Sequence, residues 1–407
     1  MKNIKITLRI ILTFTIVIIF TSCHAFRGLR WWYADLDDVN KFPSVELKKS
    51  AEPFEFTKTF EVEPNNACRL DTLLRNTNTV AFIVIRNDSV LYENYWDDYQ
   101  PNSKIPSFSV AKSFVSTLVG IAIDEGFIKN TSEPITSYIP EWLEKGELYQ
   151  KITIQDCLDM ASGLDNGENY GGVNMFTPMV RMYYGTNLEK EIFNAEIGFP
   201  RGAFNYQSIN TQVLAMVVER ATGKKIQDYI VEKIWQPLGM KYDASWSVDS
   251  KKRETVKAFA ALNAAPIDFA KLGRLFLNQG NWNGTQVISK DWVQTTTDFE
   301  NLYQNGYKNQ WWASVVTKIF TDSLKAVEYK NANLQTTKMS SKGNIHWFQD
   351  YGKAYRAEGI LNQFIFVRPD KNLIIVRMGD YPESRIRVSN YESYWMNNLL
   401  GYVSELY

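Results

Sequence analysis

The chain is almost without histidine. Among 407 residues only His24 and His346 carry an imidazole. That excludes a zinc site built from several imidazoles, and it leaves a Ser-His-Asp hydrolase with one candidate base, His346 in "GNIHWFQD". The G-x-S-x-G elbow of such enzymes is missing as well, so His346 reads as a structural or pocket-edge residue. Net charge is absent. Lys+Arg and Asp+Glu are both 45, and the lack of a basic excess or a lysine stripe argues against a nucleic-acid binder. Cysteine is scarce: Cys23, Cys68 and Cys157, with no metal-ligand spacing between them. Cys157 falls in an apolar helical pattern with Ile154, Leu158 and Ala161. Two separate buried thiols fit that pattern better than a Cys68–Cys157 disulfide, although an oxidising compartment would permit one. No internal repeat or low-complexity tract appears, and nothing implies a metal or organic cofactor.

What is present is enough apolar material for a large core: 45% hydrophobic and 14% aromatic residues. The length suits two or three structural units, or one large α/β domain with an insertion. Residues 1–23 read as an address. Lys2, Lys5 and Arg9 precede the apolar run Ile10 to Phe20, which is short of the roughly 20 residues that span a bilayer. "FTSC" then ends at Cys23, which resembles a bacterial lipoprotein signal with Cys23 as the lipidated residue; an uncleaved anchor over Leu8 to Ser22 is the alternative. Either puts the body outside the cytoplasm, attached to a membrane at its N-terminus. Residues 24–75 show few helix or strand signals and read as a tether with an N-terminal elaboration. "VAFIVIRNDSVLYENYW" (80–96) pairs two apolar runs around Asn87-Asp88, a hairpin signal. The stretch 131–299 is mainly helical, with Gly223 as a stop in one helix and Pro237 and Gly239 in the next. Strand patterns return beyond 300, and Ser389 to Val403 suits a terminal helix. The expected fold is therefore α/β: an antiparallel sheet flanked by helices and formed from both chain ends (about 76–130 and 300–407), with a mainly helical insertion.

One tetrapeptide has chemical content. Ser109-Val110-Ala111-Lys112 is the only S-x-x-K in the chain. Residues three apart on a helix are neighbours. A helix start leaves backbone N–H groups unpaired and favours negative charge, so a nucleophile there has an oxyanion site beside it. Desolvation and the positive dipole end both lower the pKa of an amine placed at the same spot, which then can take the serine proton. The bland reading is a serine N-cap followed by a lysine reaching for solvent. Against it, Val110, Ala111, Phe114, Val115, Leu118, Val119, Ala122 and Ile123 cover much of the helix circumference. A helix apolar all round is buried, a poor place for an idle charge.

Three further stretches follow in order. "ITIQDCLDMASGLDNGENYGG" (152–172) ends in an acidic-aromatic loop. "PRGAFNYQSINTQVLAMVVERATGK" (200–224) carries Tyr206-Gln207-Ser208 before a helix, and in an extended segment Tyr206 and Ser208 would face one side. "YRAEGILNQFIFVRP" carries Ala357-Glu358-Gly359 and the turn Asn362-Gln363. With Ser109-x-x-Lys112 these stretches resemble the serine β-lactamase and penicillin-binding-protein superfamily over roughly residues 75–400, and within it the class C-like esterases and 6-aminohexanoate-dimer hydrolases. The resemblance implies Ser109 as nucleophile, Lys112 and Tyr206 as proton carriers, and the N–H groups of Ser109 and Ile360 as oxyanion hole. It makes Gly359 the residue that allows close substrate approach, and places Ser208, Glu168 and Tyr170 at the substrate. A phenol beside a lysine ammonium would ionise early and titrate with it. The bland alternatives are a buried tyrosine with a satisfied hydroxyl and an ordinary polar loop. No K-T-G exists; Ala357 stands where that lysine would meet a β-lactam carboxylate, which lowers the expectation of β-lactamase activity. The implied activity is hydrolysis of a small-molecule amide or ester through an acyl-enzyme. A D-Ala-D-Ala peptidase, a β-lactamase and a non-catalytic envelope binding lipoprotein are its rivals. "APIDFAKLGRLFLNQGNW" (265–282) reads as structural, with Asp268 as a helix cap and Leu272, Leu275 and Phe276 in the core. Trp311 and Trp312 would suit an apolar acyl chain, or fill core and sheet.

Overall fold

The computed structural model describes residues 24–31, 34–59, 64–168, 176–299, 306–332, 337–343, 345–380 and 391–407. Cys23, the apolar run before it and Tyr170 lie outside them. The main sheet has nine strands, in chain order β1 (Thr57–Lys58), β2 (Thr79–Arg86), β3 (Ser89–Tyr95), β4 (Tyr307–Lys308), β5 (Trp311–Phe320), β6 (Thr337–Lys342), β7 (Ile345–Gly359), β8 (Gln363–Arg368) and β9 (Leu373–Gly379). Their order in space is β4-β5-β7-β8-β9-β2-β3-β1, with β6 on β7; every pair is antiparallel except β1 with β3. Both ends of the chain thus meet where β9 pairs with β2, Ile375 opposite Val84. The β2–β3 connection is the expected tight turn: Asn87 and Asp88 both hold positive φ (52° and 59°), the twist that lets two strands return on each other.

β2 is buried on both faces because alternate side chains serve different layers. Ala81, Ile83 and Ile85 face the large core with the helices α2 (Val110–Asp124) and α5 (Pro266–Leu277), whereas Phe82 and Val84 face a smaller cluster with Leu70, Leu74, Met396, Leu400 and Val403. The latter come from the helix Pro64–Arg75 and the terminal helix α6 (Tyr391–Leu406). The result is a helix–sheet–helix sandwich in which α2 is enclosed, all its residues from Val110 to Ala122 buried. The chain between α2 and β4 is mainly helical, including α3 (Pro178–Tyr184) and α4 (Ile209–Thr222), which stops at Gly223 in the left-handed region (φ 69°).

Two expectations need correction. Residues 24–75 are woven into the body. Ser44–Leu47 joins a four-stranded sheet with Ala244–Ser247, Leu262–Ala264 and Ile105–Pro106, α1 (His24–Trp31) and the helix Pro64–Arg75 are regular, and the Tyr183 hydroxyl donates to Asp38. The helical insertion accordingly contains strands. Asp268 does not cap its own helix: Ala265 is the N-cap residue and Pro266 the first helical one. Its carboxylate instead accepts the N–H groups of Lys241 (2.7 Å) and Tyr242 (3.0 Å) and pairs with buried Lys271 at 2.9 Å. Leu272, Leu275 and Phe276 are in the core as expected. Cys157 is free and buried, and burial pushes its thiol pKa up.

Candidate active site

Ser109 occupies the N-cap position of α2, and the chain enters it through a constrained residue. Phe108 has φ 46°, a region that costs a bulky side chain free energy. The buried Phe108 ring holds it there. The N–H groups of Val110, Ala111 and Lys112 close on the carbonyls of Ser107, Phe108 and Ser109, while the Ser109 N–H has no acceptor among the described residues.

One turn on, the Lys112 side chain folds back to Ser109. Its Nζ lies 2.8 Å from Ser109 Oγ and donates to the Phe259 carbonyl, also at 2.8 Å. The residue is 1% exposed. Burial lowers its pKa to about 8, against a smaller opposing pull from the Glu168 carboxylate. The phenol of Tyr206 completes the group: Lys112 Nζ is 5.1 Å from the ring centroid, and the hydroxyl shares a side-chain hydrogen bond with Ser109. The expectation that this phenol ionises early is wrong. Burial drives its pKa well above the usual value and the Glu168 and Glu358 carboxylates add to the rise, which the hydrogen bond to Ser109 only partly offsets. Lys112 is the member whose charge is marginal near neutral pH, and Tyr206 stays protonated.

Glu168 and Ser208 meet each other. Ser208 starts α4 with helical dihedrals (φ −61°, ψ −22°) instead of continuing an extended segment. Its hydroxyl donates to Glu168 Oε1 at 2.7 Å and its N–H donates to Oε2. The carboxylate thus sits at a helix N-terminus, where negative charge is favoured, and fixes the element that presents Tyr206.

Gly359, at the end of β7, is where the sheet touches the nucleophile. A Cβ there would come within 2.4 Å of the Ser107 carbonyl oxygen and 3.1 Å of the Ser109 nitrogen, so only glycine allows this approach. Ile360 opens the short turn that follows, the position at which a helical turn leaves its N–H unpaired. The turn is held by a residue that sequence reasoning missed. Arg377, fully buried on β9, donates to the carbonyls of Leu361 (2.7 Å), Asn362 (2.8 Å) and Thr77 (2.7 Å). Leu361 and Asn362 have positive φ (63° and 61°), and the guanidinium holds that conformation. The Gln363 side chain ties the same turn to Gly379, donating to its carbonyl at 2.6 Å.

The aromatic wall beside Tyr206 includes Trp312, one of the two tryptophans suited to an apolar acyl chain, and Tyr307, which sequence reasoning missed. Trp312 stacks on Tyr206 (5.9 Å, 20° between planes), and Tyr307 meets Trp312 edge-on at 4.5 Å. Arg356 lies 5.7 Å from the Trp312 ring and binds Glu358 at 2.7 Å. Trp311 points the other way, into the core against Phe276 at 4.4 Å. A buried hub supports the wall: Gln310 accepts from Thr211 on α4 at 2.6 Å and from Ser113 on α2 at 2.8 Å, and donates to the Cys157 carbonyl at 2.9 Å. His346 is elsewhere. It sits opposite Phe320 near the start of β7, its ring bonded to the hydroxyls of Ser341 and Ser323, so it does not serve Ser109.

A helix–sheet–helix sandwich with Ser-x-x-Lys at the head of its enclosed helix defines a class, and the comparisons agree: residues 70–392 match the beta-lactamase family, to which the chain belongs. Among its curated relatives is the 6-aminohexanoate-dimer hydrolase of Paenarthrobacter ureafaciens, 29% identical over 70% of this chain and 77% of the relative. The teichoic acid D-alanine hydrolase of Staphylococcus aureus is 21% identical over 58% of each. The fold is shared with a Bacillus anthracis protein provisionally named 6-aminohexanoate-dimer hydrolase (TM-score 0.65, 21% identity, 93% of this chain and 95% of that one). It is also shared with a penicillin-binding protein homologue from Caulobacter crescentus (TM-score 0.55, 13% identity, 79% and 93%).

Proposed function

We propose that the protein is a serine hydrolase that cleaves a small amide or ester through an acyl-enzyme, with Ser109 as nucleophile. The observation that carries this reading is the Lys112 amine, buried, 2.8 Å from Ser109 Oγ and with its pKa lowered to about 8. The Phe259 carbonyl takes one N–H of the amine and so aims the lone pair of its neutral form at the serine hydroxyl. As Oγ bonds to the substrate carbonyl carbon, its proton passes to Lys112. The carbonyl oxygen, now negative, rests on the N–H groups of Ser109 and Ile360, donors of the kind worth about 3 kcal/mol each to a tetrahedral oxyanion. Tyr206, kept protonated, gives its proton to the leaving nitrogen or oxygen as that bond breaks, and recovers it from the Lys112 ammonium. Water then attacks the acyl-enzyme with Lys112 again as base, and Ser109 regains its proton. Glu168 and Ser208 brace Tyr206 and border the substrate with Gly359; Tyr170 is proposed at the same rim.

The substrate side favours amides and esters over β-lactams. Ala357 supplies no ammonium for a β-lactam carboxylate, and the cation two residues before Glu358, Arg356, is paired with it. The relatives named for hydrolysis of a 6-aminohexanoate dimer and of teichoic acid D-alanine support that direction. We also propose that Cys23 is the lipid-attachment point of an extracytoplasmic lipoprotein. The test of the activity is a panel of short-chain esters, linear amides and penicillins assayed with the wild type and Ser109→Ala. Ester or amide turnover that disappears in the variant supports the reading. Turnover that persists in the variant refutes it, and a long-lived penicillin adduct without ester turnover moves the assignment to a penicillin-binding protein.

A further inference from the structure

The segment that follows Cys23 is packed against the body. α1 begins at His24, the very next residue, and lies along α3. Trp31 meets Phe42 at 5.5 Å and Tyr184 at 6.0 Å, and His24 meets the edge of the Phe176 ring at 6.4 Å. The Arg27 charge is close enough to buried Lys257 to depress its pKa further, after burial. Phe176 nevertheless remains 70% exposed, and Arg30 is exposed too. Contacts lead from this corner to the catalytic group: Thr177 lies against Gly167, where a Cβ would be 3.2 Å from it, and the next residue is Glu168, which holds Ser208.

We propose that α1 and Phe176 form a rigid docking face for a lipid bilayer, which holds the rim of the Ser109 site close to the membrane surface. The inference rests on the reading of residues 1–23 as the membrane attachment. Lipidated Cys23 and an uncleaved anchor over Leu8 to Ser22 give nearly the same geometry, because the first ends directly before His24 and the second one residue earlier. One or two residues advance the chain by no more than about 8 Å, so His24 lies at the headgroups, and Phe176 meets His24. An exposed phenylalanine with an exposed arginine, Arg30, on the adjoining helix is the side-chain set of an interfacial surface, the ring among acyl chains and the cation among anionic headgroups. A body on a loose leash would turn freely; a body mounted through α1 keeps one orientation.

The full chain in phosphatidylglycerol/phosphatidylethanolamine vesicles tests this. Pelleting after an alkaline carbonate wash reports attachment itself. Trypsin can free the body by cutting after Arg27 or Arg30, so the rate of release reports whether α1 is docked. A polarity-sensitive thiol label on Phe176→Cys, in a Cys68→Ser background and corrected by the same chain without the new cysteine, reports depth through quenching by brominated lipids. The expected result is a pelletable protein, slow release that becomes about tenfold faster in Trp31→Ala, and at least about twofold quenching at position 176. A pelletable protein whose body is released quickly regardless of Trp31, or whose label is unquenched, overturns the docking face and leaves the attachment standing. A protein that does not pellet overturns both.

Discussion

The proposed mechanism makes the protonation of Lys112 govern the acid side of the pH–rate profile, and the structure sets where. A free lysine titrates near 10.5, so at pH 7 about 0.03% of it is neutral. Burial brings Lys112 to about 8, which raises the neutral fraction at pH 7 to about 10%, a gain of roughly 300-fold in competent enzyme. Raising the pH from 6.5 to 9 then carries that fraction from about 3% to about 90%. The expected log(kcat/KM) profile rises with unit slope below pH 7.5, bends near 8 and is flat by 9, a total change of about thirtyfold. The assay is initial-rate hydrolysis of an ester corrected for its spontaneous hydrolysis, with enzyme pre-incubated at each pH and returned to pH 8 to exclude unfolding. Tyr206 adds no bend in this range, because its pKa is pushed upward. A profile still climbing tenfold per unit at pH 9 would mean a lysine that burial has not shifted. A bend near 6.5 would mean an imidazole base. Either refutes the argument.

Other expectations follow from the same contacts. Lys112→Met should inactivate the enzyme yet stabilise the fold at pH 7. The folded-state pKa of about 8 lies below the unfolded 10.5, so the wild type loses stability as pH falls from 10.5 to 8 and carries the whole penalty, on the order of 3 kcal/mol, below 8. Unpairing of the Phe259 carbonyl takes back about 1–2 kcal/mol. The gain in Tm should shrink between pH 8 and 10.5, and a variant less stable than wild type at every pH contradicts the burial argument. Gly359→Ala puts a methyl 2.4 Å from the Ser107 oxygen. The strand must recede by about 1 Å, which should cost kcat roughly 100-fold; unchanged kcat would place the oxyanion elsewhere. Arg377→Lys cannot reproduce three bonds from one planar fork, so kcat should fall along with Tm as the 360–362 turn loosens; a Tm loss at full kcat would separate the turn from catalysis.

The sequence disclosed what is local. Ser109 and Lys112 are one turn apart on a helix whose apolar circumference already implies burial, and the structure delivers both the 2.8 Å approach and the lowered amine pKa. Asn87-Asp88 and Gly223 were readable because positive φ demands particular residues. The pairing of Ser44–Leu47 with Ala244–Ser247 left no clear local trace, since the partner is some 200 residues away and each strand is only four residues long, too short for its alternation to stand out. Arg377 is a single charge in an apolar strand run, and only the fold reveals three carbonyls waiting for it. The sign of the Tyr206 shift was misread for a related reason. Lysine proximity was visible in the motif, whereas enclosure by Trp312 and Tyr307 and the approach of Glu168 are tertiary facts.

The most direct measurement is covalent labelling with a fluorophosphonate, followed by intact mass and peptide mapping. The account predicts a single adduct on Ser109, formed at a rate that rises with pH through 8 in the wild type and is strongly slowed in Lys112→Met. No adduct, an adduct on another serine, or labelling of Ser109 that ignores both pH and the loss of Lys112 would contradict it.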